Sequence, residues 1–220
     1  YLISKNKEKK MIKTIDSSVN LYPQNLILKQ LKIDQKQKKI FNNQFDCKEI
    51  KHVIAEIFYI VANSLATQQN YTISNFYLNL AIYLNPNFIS FETLHAENFA
   101  AINEYDEAKK LYNKIQKFGS VYSWHASKQI TSILINQKKK DAAIVFLEKN
   151  FKKIKNPTTY EIFDYAVFLK NNEKYEESIK YYSKIMNVID EKHNLYGQIL
   201  DGRGTAYERT DQWNKAEIDL

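Results

Sequence analysis

Glycine, proline and cysteine are scarce in this 220-residue chain, which contains 4 Gly, 3 Pro and 1 Cys. So few glycines and prolines argue against an all-β fold, because its many tight turns need those residues. A single cysteine, Cys47, excludes an intramolecular disulfide framework, although it does not fix the compartment. The remaining balance, 44% hydrophobic and 26% charged residues, is ordinary for a folded protein.

Long hydrophobic runs are also missing. None reaches the ~18 residues that cross a bilayer, and the longest candidate, residues 53–65, is interrupted by Glu56 and Asn63. The sequence starts at Tyr1 without a methionine and stops at Leu220 inside a helical pattern, so we expect a piece of a longer protein. We also expect apolar surface to be exposed at the unfinished last helix. A leader or lipid anchor upstream would lie outside the sequence, so the location stays open.

Arginine is nearly absent, and the positive charge is confined to one segment. Residues 1–52 contain twelve lysines and five acidic residues, a balance of +7 that equals the net charge of the chain. Residues 53–220 are therefore neutral. Only Arg203 and Arg209 are arginines, whereas recognition of phosphates and bases favours the arginine fork. The Lys-rich segment is interpreted first as a solvated connector and second as a patch for an anionic partner.

A short phrase recurs along the chain, with a small residue three positions after an aromatic residue in four of its five copies. The steps between the small residues are 34, 35, 35 and 38 residues. These residues are Ser74, Ala108, Ala143, Ser178 and Ala216. Twelve positions earlier stands a second small residue in four of the five copies, namely Ala62, Ala96, Ala166 and Gly204, and Thr131 is the exception. Small side chains at both places let two antiparallel helices approach closely, so the pattern predicts stacked helix pairs.

This pattern resembles the tetratricopeptide repeat (TPR) family over residues 55–220, with Pro86 at the family's helix-ending proline. The resemblance implies an all-α fold, a right-handed solenoid of about five antiparallel helix pairs, open at both ends. We expect repeats near residues 55–88, 89–122, 124–157, 159–192 and 197–220, the last incomplete. Residues 1–54 are expected to hold a remnant of a preceding repeat, over residues 3–22, and a connector.

The helix pairs are predicted from the same spacing. A further short helix is predicted over residues 24–40, and a polar connector over residues 40–49. The predicted pairs cover residues 55–68 with 71–85, 89–102 with 105–118, 124–137 with 140–153, 159–172 with 175–189, and 197–210 with residue 213 onward.

The resemblance also implies where partners bind. In the family, the second, fifth, ninth, twelfth and thirteenth residues of each repeat lie on its first helix and face the ligand. These positions are called the ligand face below. The residues expected to form a partner-binding groove are Tyr59, Asn63, Glu97, Lys128, Asn136, Tyr160, Phe163, Val167, Lys170, Asn171, Asp201 and Arg209. The apolar series Tyr160, Phe163 and Val167 suits either a hydrophobic anchor of a partner or packing against an adjacent unit.

Catalysis receives little support from the sequence. The four histidines fall in different units without metal-ligand spacing, and Cys47 lacks an activating signature. We therefore expect no catalytic residues, no metal and no cofactor. The Lys and Asn set with which some family members bind a C-terminal carboxylate is also incomplete, since Ser132 stands where Asn is required.

The sequence thus predicts a non-catalytic protein–protein interaction scaffold or adaptor that binds a peptide or helix in its concave groove. Residues 202–220 resemble the corresponding unit of long TPR proteins of Gram-negative bacteria. This resemblance implies a bacterial cytoplasm, periplasm or cell envelope. Two alternatives stay open: an RNA-binding helical-repeat protein that uses the basic N-terminal segment, or the accessory region of an enzyme whose catalytic domain lies outside the chain. Nucleic acid is the less favoured partner.

Overall fold

The structure is a computed structural model that describes residues 8–23, 25–39 and 44–220. Within these ranges the chain forms twelve α-helices and one 3-10 helix, without a strand. Parts of the predicted elements, namely residues 3–7, 24 and 40–43, lie outside the described residues. The α-helices are α1 (Glu8–Leu21), α2 (Leu26–Lys36), α3 (Ile50–Thr67), α4 (Tyr71–Leu84), α5 (Ile89–Ala101), α6 (Tyr105–Ile115), α7 (Ser120–Asn136), α8 (Lys140–Lys152), α9 (Thr159–Asn171), α10 (Tyr175–Met186), α11 (Tyr196–Glu208) and α12 (Trp213–Asp219).

The chain divides into two compact units, residues 1–133 and residues 134–220. In the first unit, α1 pairs with α2, α3 with α4 and α5 with α6, and α5 also packs on α4. In the second unit, α9 pairs with α10 and α11 with α12, and α11 packs on α10. The predicted all-α arrangement of antiparallel helix pairs is confirmed. No helix among the described residues is long and apolar enough to span a membrane.

The small residues lie where the helices of a pair touch, as predicted. Ala62 and Ser74 are fully buried, and the Ser74 hydroxyl donates a hydrogen bond to the Ala62 carbonyl oxygen at 2.8 Å. Ser178 makes the same contact with the Ala166 carbonyl oxygen at 2.9 Å. A serine here allows close approach and also satisfies its own hydroxyl, because the facing helix supplies an acceptor within reach.

A left-handed residue follows the first helix of each of the five predicted repeats (α3, α5, α7, α9 and α11), although none of these residues is glycine. Gln69, Asn103, Lys138, Glu173 and Asp211 have φ between +57° and +66°. At each turn the next amide donates back to a carbonyl of the last helical turn, as in Asn70 N to Leu65 O at 2.9 Å. The positive φ therefore satisfies helix-terminal carbonyls, and these turns recur with the period of the small residues.

Two first helices begin earlier than predicted. Helix α3 starts at Ile50 after Glu49, and α7 starts at Ser120 after Gly119, whereas the predicted starts were residues 55 and 124. The prediction counted back from the small residues, which mark where two helices touch. It carried no information about how far each helix extends upstream. Helix α6 also ends earlier than predicted, at Ile115, followed by a 3-10 turn over Gln116–Phe118.

One face of α3 is apolar and accessible. Ile50, Ile54, Ile57 and Val61 are spaced by three and four residues and are between 36% and 69% exposed. Phe91, the residue of α5 that corresponds to Ile57, is fully buried, and its ring lies 5.2 Å from the ring of Tyr59 on α3. The same helix face is thus a packing surface on α5 and an accessible one on α3.

Candidate functional site

The ligand face of the first unit contains Tyr59 and two carboxylates. Tyr59 is half-buried against Phe91, and Glu56 lies one helical turn before it on α3. Burial, and then the charges of Glu56 and Glu97, raise the pKa of the Tyr59 phenol. Glu97 is 45% exposed, yet burial raises the pKa of its carboxyl. The structure therefore brings Tyr59 and Glu97 together. The Glu97 carboxyl is partly buried and partly accessible to solvent.

His125 extends this group onto α7. Its Nε2 atom lies 3.6 Å from a Glu97 carboxylate oxygen, and its ring lies 6.3 Å from the ring of Tyr112 at 66°. Burial, and then the positive charges of Lys128 and Lys29, lower the pKa of His125 to about 4. The contact with Glu97 is therefore not an ion pair at neutral pH. Lys128, another residue of the expected groove, lies half-buried near this imidazole.

His125 is expected to be neutral at pH 7 and to titrate near pH 4 instead of near its ordinary value of about 6.5. Because its folded-state pKa is lowered, protonation favours the unfolded chain, and this residue's stabilisation is lost as the pH falls from about 6.5 towards 4. The measurement is an NMR titration of the His125 ring protons, assigned with a His125→Gln variant. A midpoint at pH 6 or above would show that the ring is neither buried nor close to the two lysines.

The ligand face of the second unit contains the predicted apolar series on α9. Tyr160 is 43% exposed, and its hydroxyl donates a hydrogen bond to Asn194 Oδ1 at 3.0 Å. Its ring lies 6.1 Å from that of His193. Phe163 is half-buried, with its ring 6.1 Å from that of Tyr182, and Val167 is also half-buried. The segment before α11 therefore orients Tyr160 and leaves much of it accessible, whereas Phe163 contributes mainly to packing.

The other expected groove residues are accessible polar side chains. Asn63, Asn136, Asn171, Asp201 and Arg209 are exposed, and Lys170 is half-buried. The residues at the thirteenth position are exposed in all five repeats, at the end of the first helix or, for Arg209, directly after it; they are Thr67, Ala101, Asn136, Asn171 and Arg209. Each first helix thus buries its small residue and leaves the ligand position five residues later open to solvent.

Sequence reasoning missed two polar contacts. Asn98 Nδ2, which is buried, donates to Ser74 Oγ at 2.7 Å and to Asn75 Oδ1 at 2.8 Å. Gln30 on α2 contacts the start of α7 and is the buried residue of its helix. The period gave no signal for either contact, because Asn98 and Gln30 themselves stand outside the repeated small and large positions.

Nothing among the described residues assembles a metal site, since no group of three His, Cys, Asp or Glu side chains comes together there. Cys47 is a free cysteine and is exposed. His52 Nδ1 accepts a hydrogen bond from the Asp46 amide at 3.0 Å, so this imidazole holds the segment before α3 in place. The accessible groups on the ligand face are amides, carboxylates, a phenol and a guanidinium, which suit hydrogen bonding to a polypeptide.

The structure is similar to solved helical-repeat proteins. A putative kinesin light chain of Podosopora anserina with nearly identical TPR-like repeats is 12% identical, with a TM-score of 0.57 over 75% of this chain and 90% of that chain. BtubC (BKLC) from P. vanneervenii is 10% identical, with a TM-score of 0.55 over 98% and 86%. MamA from Desulfovibrio magneticus RS-1 is 15% identical, with a TM-score of 0.51 over 75% and 90%.

No protein-family profile and no curated protein matches the sequence. The similarity to solved structures, at identities of 10% to 15%, therefore concerns the fold. It agrees with the buried small residues and the recurrent turns described above. The chain has the tetratricopeptide-repeat fold.

Proposed function

We propose that this chain is a non-catalytic interaction scaffold whose ligand face binds a peptide or helix of another protein. The observation that carries the proposal is the recurrent exposure of the thirteenth position in all five repeats, five residues after a buried small residue. Side chains exposed at this place in every repeat are accessible to a ligand, which agrees with the position that the family resemblance assigns to binding. The known TPR-like structures share the fold and agree with a scaffold role.

Both units offer groups that suit a polypeptide ligand. In the first unit, Glu97 and Asn63 can accept and donate hydrogen bonds beside the ring of Tyr59. In the second unit, the accessible ring of Tyr160 can anchor an apolar side chain, and Asn171 can bond a peptide group. Main-chain groups of an extended segment need such partners, because an amide or carbonyl covered without one costs about 1–3 kcal/mol.

The RNA-binding alternative is not favoured by the contacts of the described residues. Lys32 on α2 lies 2.8 Å from Asp16 on α1, and Lys39 lies 3.9 Å from Asp34. The part of the Lys-rich segment that the structure describes thus pairs some of its charge within itself. The alternative stays a prediction, and a steep fall of RNA affinity with salt would support it.

The proposal is tested by capturing partners on the immobilised chain and comparing two matched double variants. Tyr160→Ala with Asn171→Ala changes the ligand face, whereas Tyr83→Ala with Asn79→Ala removes the same residue types from exposed positions of α4. Phe163 stays in place because it packs on Tyr182. Partners of the ligand face are expected to be lost from the first variant and kept by the second. Equal recovery from both variants would contradict the proposal for the second unit.

A further inference from the structure

Three buried polar atoms beside the ligand face of the first unit have no hydrogen-bond partner among the described residues. They are Glu56 Oε2 on α3, the Tyr112 hydroxyl on α6 and His125 Nε2 on α7. Tyr112 is 0% exposed, so water does not satisfy its hydroxyl from outside. Buried polar atoms are paired in most folded proteins, because leaving one unpaired is costly. Three such atoms around one face indicate that a group of another molecule completes their hydrogen bonds.

The three atoms belong to one neighbourhood, which Tyr59 and Glu97 complete. The Tyr112 ring lies 6.3 Å from the His125 ring, and His125 Nε2 lies 3.6 Å from a Glu97 carboxylate oxygen. Burial, and then the Glu97 charge, raise the pKa of the Tyr112 phenol, and burial and the charges of Glu56 and Glu97 raise that of Tyr59. The buried Tyr112 phenol thus lies beside two residues of the ligand face. The five side chains are called the acceptor cluster below.

The acceptor cluster contains two carboxylates and no cation of its own. Burial raises the pKa of the Glu56 and Glu97 carboxyls, whereas an ammonium group paired with either of them would lower it. Lys128 and Lys29 lie at the other end of the cluster, where burial and then these two charges lower the pKa of His125. The imidazole is therefore neutral at pH 7, and it does not neutralise the carboxylates.

An arginine side chain fits the chemistry of the acceptor cluster. A guanidinium carries a fixed positive charge and five N–H donors in one plane, and it can also stack on an aromatic ring such as that of Tyr59. A metal ion fits less well, because no three His, Cys, Asp or Glu side chains come together as ligands in the part of the chain that the structure describes. Glu97 is 45% exposed, so a side chain of another protein can reach the cluster from solvent.

We propose that the acceptor cluster binds an arginine side chain of the partner polypeptide. A guanidinium at this place donates to the Glu97 carboxylate and to acceptors beside it that lack a partner in the free chain. The charge of the guanidinium also balances the two partly buried carboxylates. The inference rests on the proposed function, and it specifies the ligand of the first unit as a segment that presents an arginine.

The test titrates the full chain with a blocked pentapeptide of four alanines and a central arginine. A second peptide carries citrulline instead, which keeps the shape of arginine without its charge. Binding is followed by NMR through the His125 ring protons, with the His193 ring of the second unit as an internal control. We expect the arginine peptide to shift only the His125 signals. We also expect it to bind at least about tenfold more tightly than the citrulline peptide, because hydrogen bonds to charged groups are the stronger ones.

Two matched variants distinguish the acceptor cluster from a general attraction to negative charge. Glu97→Gln removes a charge from the cluster and keeps nearly the same shape. Glu104→Gln removes one from an exposed residue of the same unit, whose side chain makes no capping hydrogen bond. The arginine peptide is expected to bind Glu97→Gln at least about tenfold more weakly than the wild type, and Glu104→Gln within about twofold of it. Circular dichroism checks that both variants are folded.

Equal affinities of the arginine and citrulline peptides for the wild-type chain would overturn the proposal. So would equal losses of affinity in Glu97→Gln and Glu104→Gln, or the absence of a His125 shift at millimolar arginine peptide. The peptides replace the natural partner, so these outcomes concern the acceptor cluster alone. Equal partner capture by the two double variants described above would instead contradict the proposed function.

Discussion

Asn98→Asp is expected to destabilise the first unit by about 3–5 kcal/mol at pH 7, because it places an unpaired charge in the core. Asn98 is 1% exposed, and its Nδ2 atom donates to both Ser74 Oγ and Asn75 Oδ1. A carboxylate at position 98 has nearly the same shape as the amide but no hydrogen to donate. Its oxygen would therefore face two other acceptors, Ser74 Oγ and Asn75 Oδ1, without a hydrogen bond to either. The Ser74 hydroxyl is not available as a donor to this carboxylate, since its hydrogen is already donated to the Ala62 carbonyl oxygen.

The destabilisation by Asn98→Asp is expected to depend on pH in a defined direction. Burial raises the pKa of the new carboxyl above its unfolded value of about 3.9, so stability is lost as the pH rises above that value and regained on acidification. Urea unfolding is followed by fluorescence of Trp124, which lies in the same unit, in a Trp213→Phe background. Asn63→Asp, at an exposed site of α3, is the control and should stay within about 0.5 kcal/mol. A loss below about 1 kcal/mol would show that water reaches Asn98.

Phe91→Ala is expected to cost about 3–5 kcal/mol, whereas Ile57→Ala at the corresponding position of α3 should cost less than about 1 kcal/mol. Phe91 is fully buried between Tyr59 and Phe88, with ring centroids 5.2 Å and 4.8 Å away. Its removal leaves a cavity beside the α3–α4 pair. Ile57 is 54% exposed, so its truncation removes few contacts.

The two variants are compared by the urea midpoint of Trp124 fluorescence. The same measurement reports whether the apolar face of α3 is covered in solution. If Ile57→Ala destabilises the chain as much as Phe91→Ala does, some element covers the face of α3 that carries Ile50, Ile54, Ile57 and Val61. Equal and small losses would instead show that Phe91 is not a core residue.

The repeat could be predicted from sequence because its physical cause is local and recurrent. Ala62 and Ser74 must be small for two helices to approach, and Ser178 meets the same requirement in another pair. Since each repeat meets the same requirement, the spacing shows it several times. Helix positions follow closely from this spacing, whereas helix starts do not, as Ile50 and Ser120 show.

Contacts that occur once could not be predicted. Gln30 contacts the Val121 amide because α2 packs near the start of α7, and the repeat period contains no information about that contact. Asn98 donates to two polar residues of α4 that come within 3 Å only in the folded structure. The left-handed turns between the helices of a pair could not be predicted for a different reason. Gln69 and Glu173 adopt a left-handed conformation that sequence reasoning assigns to glycine or asparagine, and the helix-terminal hydrogen bonds they permit offset its cost.

The candidate site stays a prediction. The ligand positions came from the resemblance, and the structure shows that Asn63, Glu97, Asn136, Asn171 and Arg209 are accessible side chains there. Phe163 differs, because its ring packs towards Tyr182 and the helix-wheel position alone does not reveal that neighbour.

Site-specific photo-cross-linking tests most directly whether the ligand face binds partners. A benzoylphenylalanine is placed at Glu97 and, in a second chain, at Arg209, with Tyr83 and Val188 as exposed control sites at 84% and 71% exposure. The chain is incubated with bacterial lysate and irradiated, and the cross-linked proteins are identified by mass spectrometry. We expect that a given protein is cross-linked by the chain labelled at Glu97 or by the chain labelled at Arg209. We expect that neither control chain, labelled at Tyr83 or at Val188, cross-links that protein. Cross-links formed equally from Tyr83 and Val188 would contradict a binding role for the ligand face.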